Sequence, residues 1–151
     1  MRLLRGFTLI ELMVTIVVLA IIAAMAAPSF SRMILRQNLN KSTRELAIAL
    51  SDARVDAILH RNSVEVDLGS TSKNWLPVGK TVLISKVNNI TFGQDGLIQD
   101  PNNTNQVLPQ DEILVLCDQE QSKAMYSQAI TLSRLGTIQQ GVLVEGGCHA
   151  N

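Results

Sequence analysis

The chain has 151 residues, of which 46% are apolar, and it carries 13 basic and 13 acidic side chains, so its formal net charge is zero. This length leaves room for one small globular domain beside a membrane helix, and a second domain is not expected. The balanced charge gives no general attraction to nucleic acids or anionic surfaces.

An apolar segment dominates the N-terminal part of the chain. Between Phe7 and Ala27 the only charged side chain is Glu11, and Pro28 follows the segment. A helix of this length rises about 30 Å, which matches the hydrocarbon thickness of a bilayer. A lone carboxylate near lipid costs up to about 3 kcal/mol and is normally kept only when it has a partner. The segment therefore predicts a transmembrane helix over residues 7–28 and a partner for Glu11.

The start of this segment resembles a known processing signal. The sequence Gly6-Phe7-Thr8-Leu9-Ile10-Glu11, behind the short basic leader Met1-Arg2-Leu3-Leu4-Arg5, resembles the class III signal of type IV prepilins and type II secretion pseudopilins. The resemblance implies that a prepilin peptidase removes residues 1–6 by cleaving after Gly6, and that the new N-terminus at Phe7 is methylated. Cleavage creates a cationic amine and removes Arg2 and Arg5, which leaves 11 of the 13 basic side chains against 13 acidic ones. The resemblance also implies that the Phe7 amine of one subunit meets the Glu11 carboxylate of another in a filament core.

Two other interpretations of the N-terminal segment stay open. An ordinary secretory signal also has a basic start and an apolar middle, and Ala24-Met25-Ala26 resembles its cleavage site. The other is a plain membrane anchor for a periplasmic module. Orientation depends on the prepilin signal, because the basic residues after the span outnumber Arg2 and Arg5 before it. These later basic residues are Arg32, Arg36, Lys41 and Arg44.

The helix is expected to continue as an amphipathic segment over residues 29–62. Pro28 should kink it rather than end it, since periodic apolar residues resume at once. At 100° per residue, two apolar stripes form on nearly opposite sides. The first contains Leu35, Leu39, Leu46, Leu50, Ala53 and Ala57, and the second contains Phe30, Ile34, Ile48, Val55 and Leu59. The second stripe either packs against helices of other subunits or, for Ile48, Val55 and Leu59, lies under the loops of the domain itself.

The remaining residues, 63–151, change to the alternating pattern of short strands. Strands are expected at 64–68, 81–87, 90–92, from 97, and at 113–117, 129–135 and 137–144, with turns at Asp95-Gly96 and Gly136. Residues 75–79 are expected to form an apolar connection because Pro77 does not suit a central strand. Residues 99–110 are expected to be a polar surface loop. The fold class is therefore α+β, a long N-terminal helix packed on an antiparallel β-sheet head. This pattern resembles the GspH/FimT branch of type IV pilin-like proteins.

The two cysteines are expected to form a disulfide. The prepilin signal places Cys117 and Cys148 in the periplasm, where an even pair most simply forms one bridge. A metal site is not expected, because neither cysteine has a second sulfur or a histidine at ligand spacing. No cofactor motif is present, and His60 and His149 are not spaced with a nucleophile, so the sequence does not indicate an enzyme.

The resemblance also raises DNA binding as an alternative function. Some FimT-like proteins bind DNA through a Gly-Arg-x-Arg stretch near the C-terminus, and the matching residues here are Gly136-Thr137-Ile138-Gln139. Both arginine positions are neutral. Arg134 and Lys123 remain the candidates for phosphate contact, and two cations give a weak, salt-sensitive site.

The sequence as a whole predicts a low-abundance minor pilin or pseudopilin of the inner membrane, with its head in the periplasm. After processing it would insert in a type IV pilus or type II secretion pseudopilus and help to start or cap it. Its expected partners are the prepilin peptidase and other pilins or pseudopilins, which contact the N-terminal helix.

Overall fold

The computed structural model describes residues 7–69, 74–100, 103–146 and 148, without the side chains of residues 103–105. The chain divides into two compact units, Met1–Ile34 and Leu35–Asn151. The described residues of the first unit begin at Phe7, are exposed and are almost entirely helical. The second unit contains the remainder of the helix and every described strand.

One α-helix, α1, runs from Leu9 to His60 with Pro28 inside it. It ends two residues before the expected Asn62. The end has a Schellman pattern, in which Arg61 adopts a positive φ of 48° and the Asn62 N–H donates to the Ala57 carbonyl at 3.2 Å. The prediction that Pro28 does not end the helix is confirmed, whereas the kink stays a prediction.

Eight strands follow the helix in the described part of the chain, and all their pairings are antiparallel. They are β1 (Val64–Asp67), β2 (Val82–Ile84), β3 (Asn89–Phe92), β4 (Ile98–Asp100), β5 (Asn103–Val107), β6 (Glu112–Cys117), β7 (Tyr126–Leu132) and β8 (Ile138–Glu145). One sheet has the order β1-β3-β4-β5 and the other has the order β2-β6-β7-β8. The predicted α+β fold class is confirmed.

The expectation of a surface loop over residues 99–110 is wrong. This region contains the end of β4 and all of β5, which pairs with β4 at the edge of the first sheet. An edge strand with a mostly polar sequence lacks the apolar alternation by which strands are recognised. Within the expected polar run, Pro101 and Asn102 lie outside the described residues, as do residues 70–73 of the expected loop after β1.

Other strand limits also differ from the expected ones. The strand β2 ends at Ile84 rather than at residue 87, and the Val87 N–H instead donates to the Ser85 hydroxyl at 3.1 Å. The strand β7 ends at Leu132, three residues earlier than expected. There the chain turns back, because the Gly136 N–H donates to the Ser133 carbonyl at 2.8 Å and Gly136 has a φ of 76°.

The larger of two hydrophobic clusters lies between the C-terminal part of α1 and the two sheets, and the smaller one surrounds the buried Cys117 and Cys148. The helix contributes the first stripe of the sequence prediction, of which Leu39, Leu46, Leu50, Ala53 and Ala57 are buried. Both sheets contribute large apolar side chains, among them Phe92, Ile98, Leu114, Leu116 and Ile130. Trp75, on the connection before β2, is buried and donates its indole N–H to the Ser42 carbonyl at 3.0 Å. The core therefore buries one face of the helix and leaves the opposite face open.

Candidate functional site

The N-terminal end of α1 is closed by a side-chain cap. The Glu11 N–H donates to the Thr8 hydroxyl at 3.3 Å, and the Leu12 N–H donates to the Thr8 carbonyl at 3.2 Å. Thr8 and Glu11 have the spacing of a capping box, Thr-x-x-Glu, which by itself is a sequence signal for the start of a helix. Glu11 also lies where the positive end of the helix dipole favours a carboxylate. Helix capping and the helix dipole therefore favour a carboxylate at position 11, in addition to the processing motif that contains it.

The Glu11 carboxylate is exposed, and no side-chain hydrogen bond or ion pair joins it to another described residue. Around it, the large apolar side chains between Phe7 and Ile34 are exposed on all sides of the helix. By length and composition this helix can cross a membrane. A helix that is apolar all round needs an apolar environment, either lipid or other helices. The predicted cleavage residue Gly6 lies outside the described residues, and Phe7 is exposed beside the start of the helix.

Pro28 removes one amide donor from the helix. Its own carbonyl accepts two side-chain hydrogen bonds, from the Ser31 hydroxyl at 3.0 Å and from Nε of Arg32 at 3.3 Å. These bonds add local contacts to the turn that follows the proline. They are consistent with helix on both sides of Pro28.

The second apolar stripe is exposed in the head unit. Ile48, Val55 and Leu59 have exposed fractions of 49, 52 and 72%. The alternative in which the domain's own loops cover these three side chains is therefore wrong for the part of the chain that the structure describes. The stripe remains available to another molecule.

A groove adjoins this stripe. It has a volume of about 610 Å³ and lies between the helix and the edge strand β8. Its lining residues are Arg44, Ala47, Ile48, Ser51 and Asp52 from the helix and Ile138 and Gln140 from β8. Two of the helix residues, Ala47 and Ser51, are small, which permits close approach of a second backbone. The groove is thus a shallow surface depression with Arg44 towards one end and Asp52 towards the other.

The two candidate DNA-contacting cations lie at opposite ends of β7. Lys123 precedes the strand and Arg134 follows it. Seven residues of strand span roughly 23 Å, so the two side chains do not form one site. Each also has a carboxylate nearby: the backbone N–H of Arg134 donates to Asp111 Oδ1 at 3.1 Å, and Lys123 and Glu120 line the same cleft.

The two cysteines are bonded to each other. Cys117, at the end of β6, and Cys148 have Cα atoms 5.9 Å apart and form a disulfide, and both are fully buried. This bridge joins the segment after β8 to the middle of the second sheet. The described residues contain no group of three or more His, Cys, Asp or Glu side chains that could hold a metal ion. His60 lies at the end of α1 with Nδ1 2.7 Å from Asp56 Oδ1, and His149 lies outside the described residues.

Comparison with known proteins indicates the class to which these features correspond. Residues 1–27 match the family model of the prokaryotic N-terminal methylation motif. No curated protein sequence matches the chain significantly. The fold is similar to that of the type IV minor pilin FimU of Pseudomonas aeruginosa, with a TM-score of 0.53 and 17% identity over 71% of this chain and 90% of that one. A second crystal form of FimU gives a TM-score of 0.49 at 17% identity, over 69 and 93% of the two chains.

Residues 1–27 thus carry the prokaryotic N-terminal methylation motif, and the fold is similar to that of a type IV minor pilin. The motif lies at the start of the long helix that can cross a membrane by length and composition. The methylation motif implies processing at the N-terminus.

Proposed function

We propose that the chain is a low-abundance minor pilin or pseudopilin. A prepilin peptidase of the inner membrane cleaves after Gly6, and the mature subunit, with its head in the periplasm, enters a type IV pilus or type II secretion pseudopilus. There it acts as a structural subunit that helps to initiate or cap the filament. The GspH/FimT branch, to which the sequence pattern of the head is similar, belongs to the same proposal.

The observation that carries this proposal is the exposed, unpaired Glu11 on a helix that is otherwise uncharged from Phe7 to Ala27 in the described part of the chain. Leaving the carboxylate unpaired in a low-dielectric environment is costly, and deleting one partner of a buried ion pair typically costs about 3 to 5 kcal/mol. A new amine at Phe7 of a neighbouring subunit supplies the missing charge once the leader has been removed. Pairing between subunits then couples proteolytic processing to assembly, because the unprocessed chain has no such amine.

The test is Glu11→Ala and the isosteric Glu11→Gln in the full-length chain, expressed in its host. Both variants should be processed to Phe7 and inserted in the membrane. Both should be lost from purified filaments by about tenfold or more, as expected for the loss of about 1.4 kcal/mol or more. Glu120→Ala is the matched control, because it removes an exposed carboxylate of the head and should leave incorporation unchanged.

Two results would contradict the proposal. One is normal incorporation of Glu11→Gln, which would show that the charge is not needed. The other is a native polypeptide whose first residue, read by mass spectrometry, is Met1 or Ala27 rather than Phe7. Deletion of the gene assigns the filament: loss of piliation and twitching indicates a type IV pilus, and loss of exoprotein secretion indicates a type II secretion pseudopilus.

A further inference from the structure

The second sheet has no charged side chain on the side that faces away from the helix. Its strands β2, β6, β7 and β8 contain two charged residues, Glu112 and Glu145. These lie opposite Leu132 and Tyr126 in the ladder, which belong to the core, so both point to the helix side of the sheet. We call the open part of the other side the uncharged outer face, and it is formed by Ile113, Ala129, Thr131, Gln139, Val142 and Val144.

The strand register makes these residues one continuous surface. Ile113 lies opposite Thr131, and Thr131 lies opposite Gln139 on the edge strand β8. Next to this row the register of β7 and β8 shifts, and a Cβ added to Gly141 of β8 would lie 3.8 Å from the Ala129 Cβ. The bulge therefore adds an extra residue of β8 to this face.

The described part of the head covers only one end of this side of the sheet. Cys148, bonded to Cys117, packs there with Val115 in the smaller hydrophobic cluster. Beyond this cover the exposed fractions are 45% for Ile113, 53% for Val144 and 81% for Val142. The strand β6 is nevertheless apolar from Ile113 to Cys117, which is the pattern of a strand that is covered on both sides.

The first sheet shows how a solvated face of the same head is built. Its strands alternate between core residues such as Val66 and Phe92 and polar residues on the other side. Those polar residues include Glu65, which accepts a hydrogen bond from the Asn89 amide, and Asp67. The outer faces of the two sheets thus differ, since one is acidic and the other has no charge. Exposure to water explains the first face and does not explain the second.

We propose that the uncharged outer face docks face to face on the same face of a second copy of the chain. Burying an unpaired charge against an apolar surface is costly, so a face without charges is complementary to another face without charges. In the described head, the first sheet presents Glu65 and Asp67, and the open side of the helix presents Arg44 and Asp52. The same face of a second copy carries no such charge.

A contact of a face with itself has a twofold axis. It closes on two copies and brings residues near the centre of the face, such as Thr131, close to their own counterparts. Four strands about 4.8 Å apart and five residues of about 3.3 Å cover roughly 300 Å² per copy. This is less than half of the roughly 800 Å² per copy that a stable interface buries, so the contact is weak and depends on concentration. A transient contact leaves both copies free to enter a filament.

The direct test is sedimentation equilibrium of the full-length chain in a non-ionic detergent at several protein-to-detergent ratios. The natural chain should show a dimer whose fraction rises with this ratio. Thr131→Lys places two ammonium groups against each other and should lower the dimer association constant by at least about tenfold. Thr91→Lys is the matched control, because Thr91 is equally half-buried on an inner strand of the first sheet and lies opposite Glu65. It should leave the constant unchanged.

A second variant separates loss of the contact from loss of the fold. Val142→Lys changes a side chain that is already 81% exposed, so it should keep the unfolding midpoint, measured by Trp75 fluorescence in urea, and still weaken the dimer. A natural chain that stays monomeric at every ratio would overturn the proposal. A dimer that withstands both Thr131→Lys and Val142→Lys would also overturn it, because its contact would lie elsewhere in the chain.

Cross-linking in membranes that contain the full-length chain locates the contact. Packed sheets lie about 10 Å apart, so a short bismaleimide should join Thr131→Cys to its own counterpart at least about fivefold more than it joins Thr91→Cys. The native cysteines are bonded and buried, so they do not react. Equal yields at the two positions, or a cross-link from Thr131→Cys to a different protein only, would contradict a second copy as the occupant. Neither readout uses filaments, so the outcome is independent of the proposed function.

Discussion

Arg54 of α1 donates hydrogen bonds to a turn of each sheet. Its Nε donates to the Gly96 carbonyl at 3.1 Å and its Nη2 donates to the Leu135 carbonyl at 3.0 Å. Gly96 lies in the turn between β3 and β4, and Leu135 lies in the turn between β7 and β8. The turns are close enough that a Cβ added to Gly136 would meet the Gly96 carbonyl at 2.2 Å and Arg54 Nε at 2.7 Å. Glycine is therefore required at position 136 for space as well as for its positive φ.

Replacing Arg54 should destabilise the head without changing the part of α1 that is predicted to span the membrane. We expect Arg54→Ala to lower the free energy of unfolding by about 1.5 to 3 kcal/mol, since it removes charge-assisted hydrogen bonds to two turn carbonyls. Urea unfolding of the full chain in a non-ionic detergent measures the change. Trp75, the single tryptophan, is buried in the core and reports on the head.

The control for Arg54→Ala is Arg44→Ala. It removes an exposed arginine of the same helix that has no partner in the described head, so it should change stability by no more than about 0.5 kcal/mol. Equal losses in the two variants would show that the turn contacts of Arg54 contribute nothing beyond helix propensity and charge.

At the residue scale, the sequence could reveal only interactions whose partners are near in the chain. The cap formed by Thr8 and Glu11 was visible as a spacing of three residues. The partners of Arg54 lie 42 and 81 residues away. Arg36 is a similar case: its guanidinium pairs with Glu145 at 2.5 Å and lies 4.3 Å above the Tyr126 ring. The sequence alone showed Arg36 only as one of the basic residues after the span, because tertiary packing determines these contacts.

At the scale of the elements, the periodicity of apolar residues predicted the helix and the strands in which burial sets a clear pattern. The buried stripe of α1 and the strand β6 were predicted nearly to the residue, because burial imposes a strong pattern on their sequences. The edge strand β5 was missed because its first four residues are all polar. The exposed stripe of α1 was predicted from the same periodicity, but only the structure showed that the described part of the head leaves it open.

The disulfide links β6 of the second sheet to the segment after β8, and its removal should lower the stability of the head. It closes a sequence separation of 31 residues, for which the chain-entropy model gives about 3 to 4 kcal/mol. The double variant Cys117→Ala and Cys148→Ala should lose at least this much stability, measured by Trp75 fluorescence in urea. Adding a reductant should destabilise the natural chain in the same direction and leave the double variant unchanged. A natural chain whose unfolding midpoint is insensitive to reductant would contradict the prediction.

At the scale of the whole molecule, the distribution of charge argues against DNA as a partner. Processing would leave fewer basic than acidic side chains, and sequence-independent affinity grows with the number of phosphates that lysine and arginine neutralise. Lys123 and Arg134 lie at opposite ends of β7, each with a carboxylate nearby. Lys123 and Arg134 therefore do not form one basic surface in the described part of the chain.

We accordingly expect the mature full-length chain in detergent not to retard double-stranded DNA at about 0.15 M salt, and Arg134→Ala to have no effect on that result. The double variant Thr137→Arg and Gln139→Arg is the matched comparison. It supplies two cations beside Arg134 at exposed positions, so it should gain measurable binding at low salt, with an affinity that falls more steeply as salt is added. Retardation by the natural chain that is abolished by Arg134→Ala would reverse the conclusion. It would show that one arginine in the turn between β7 and β8 acts with cations that the charge count does not identify.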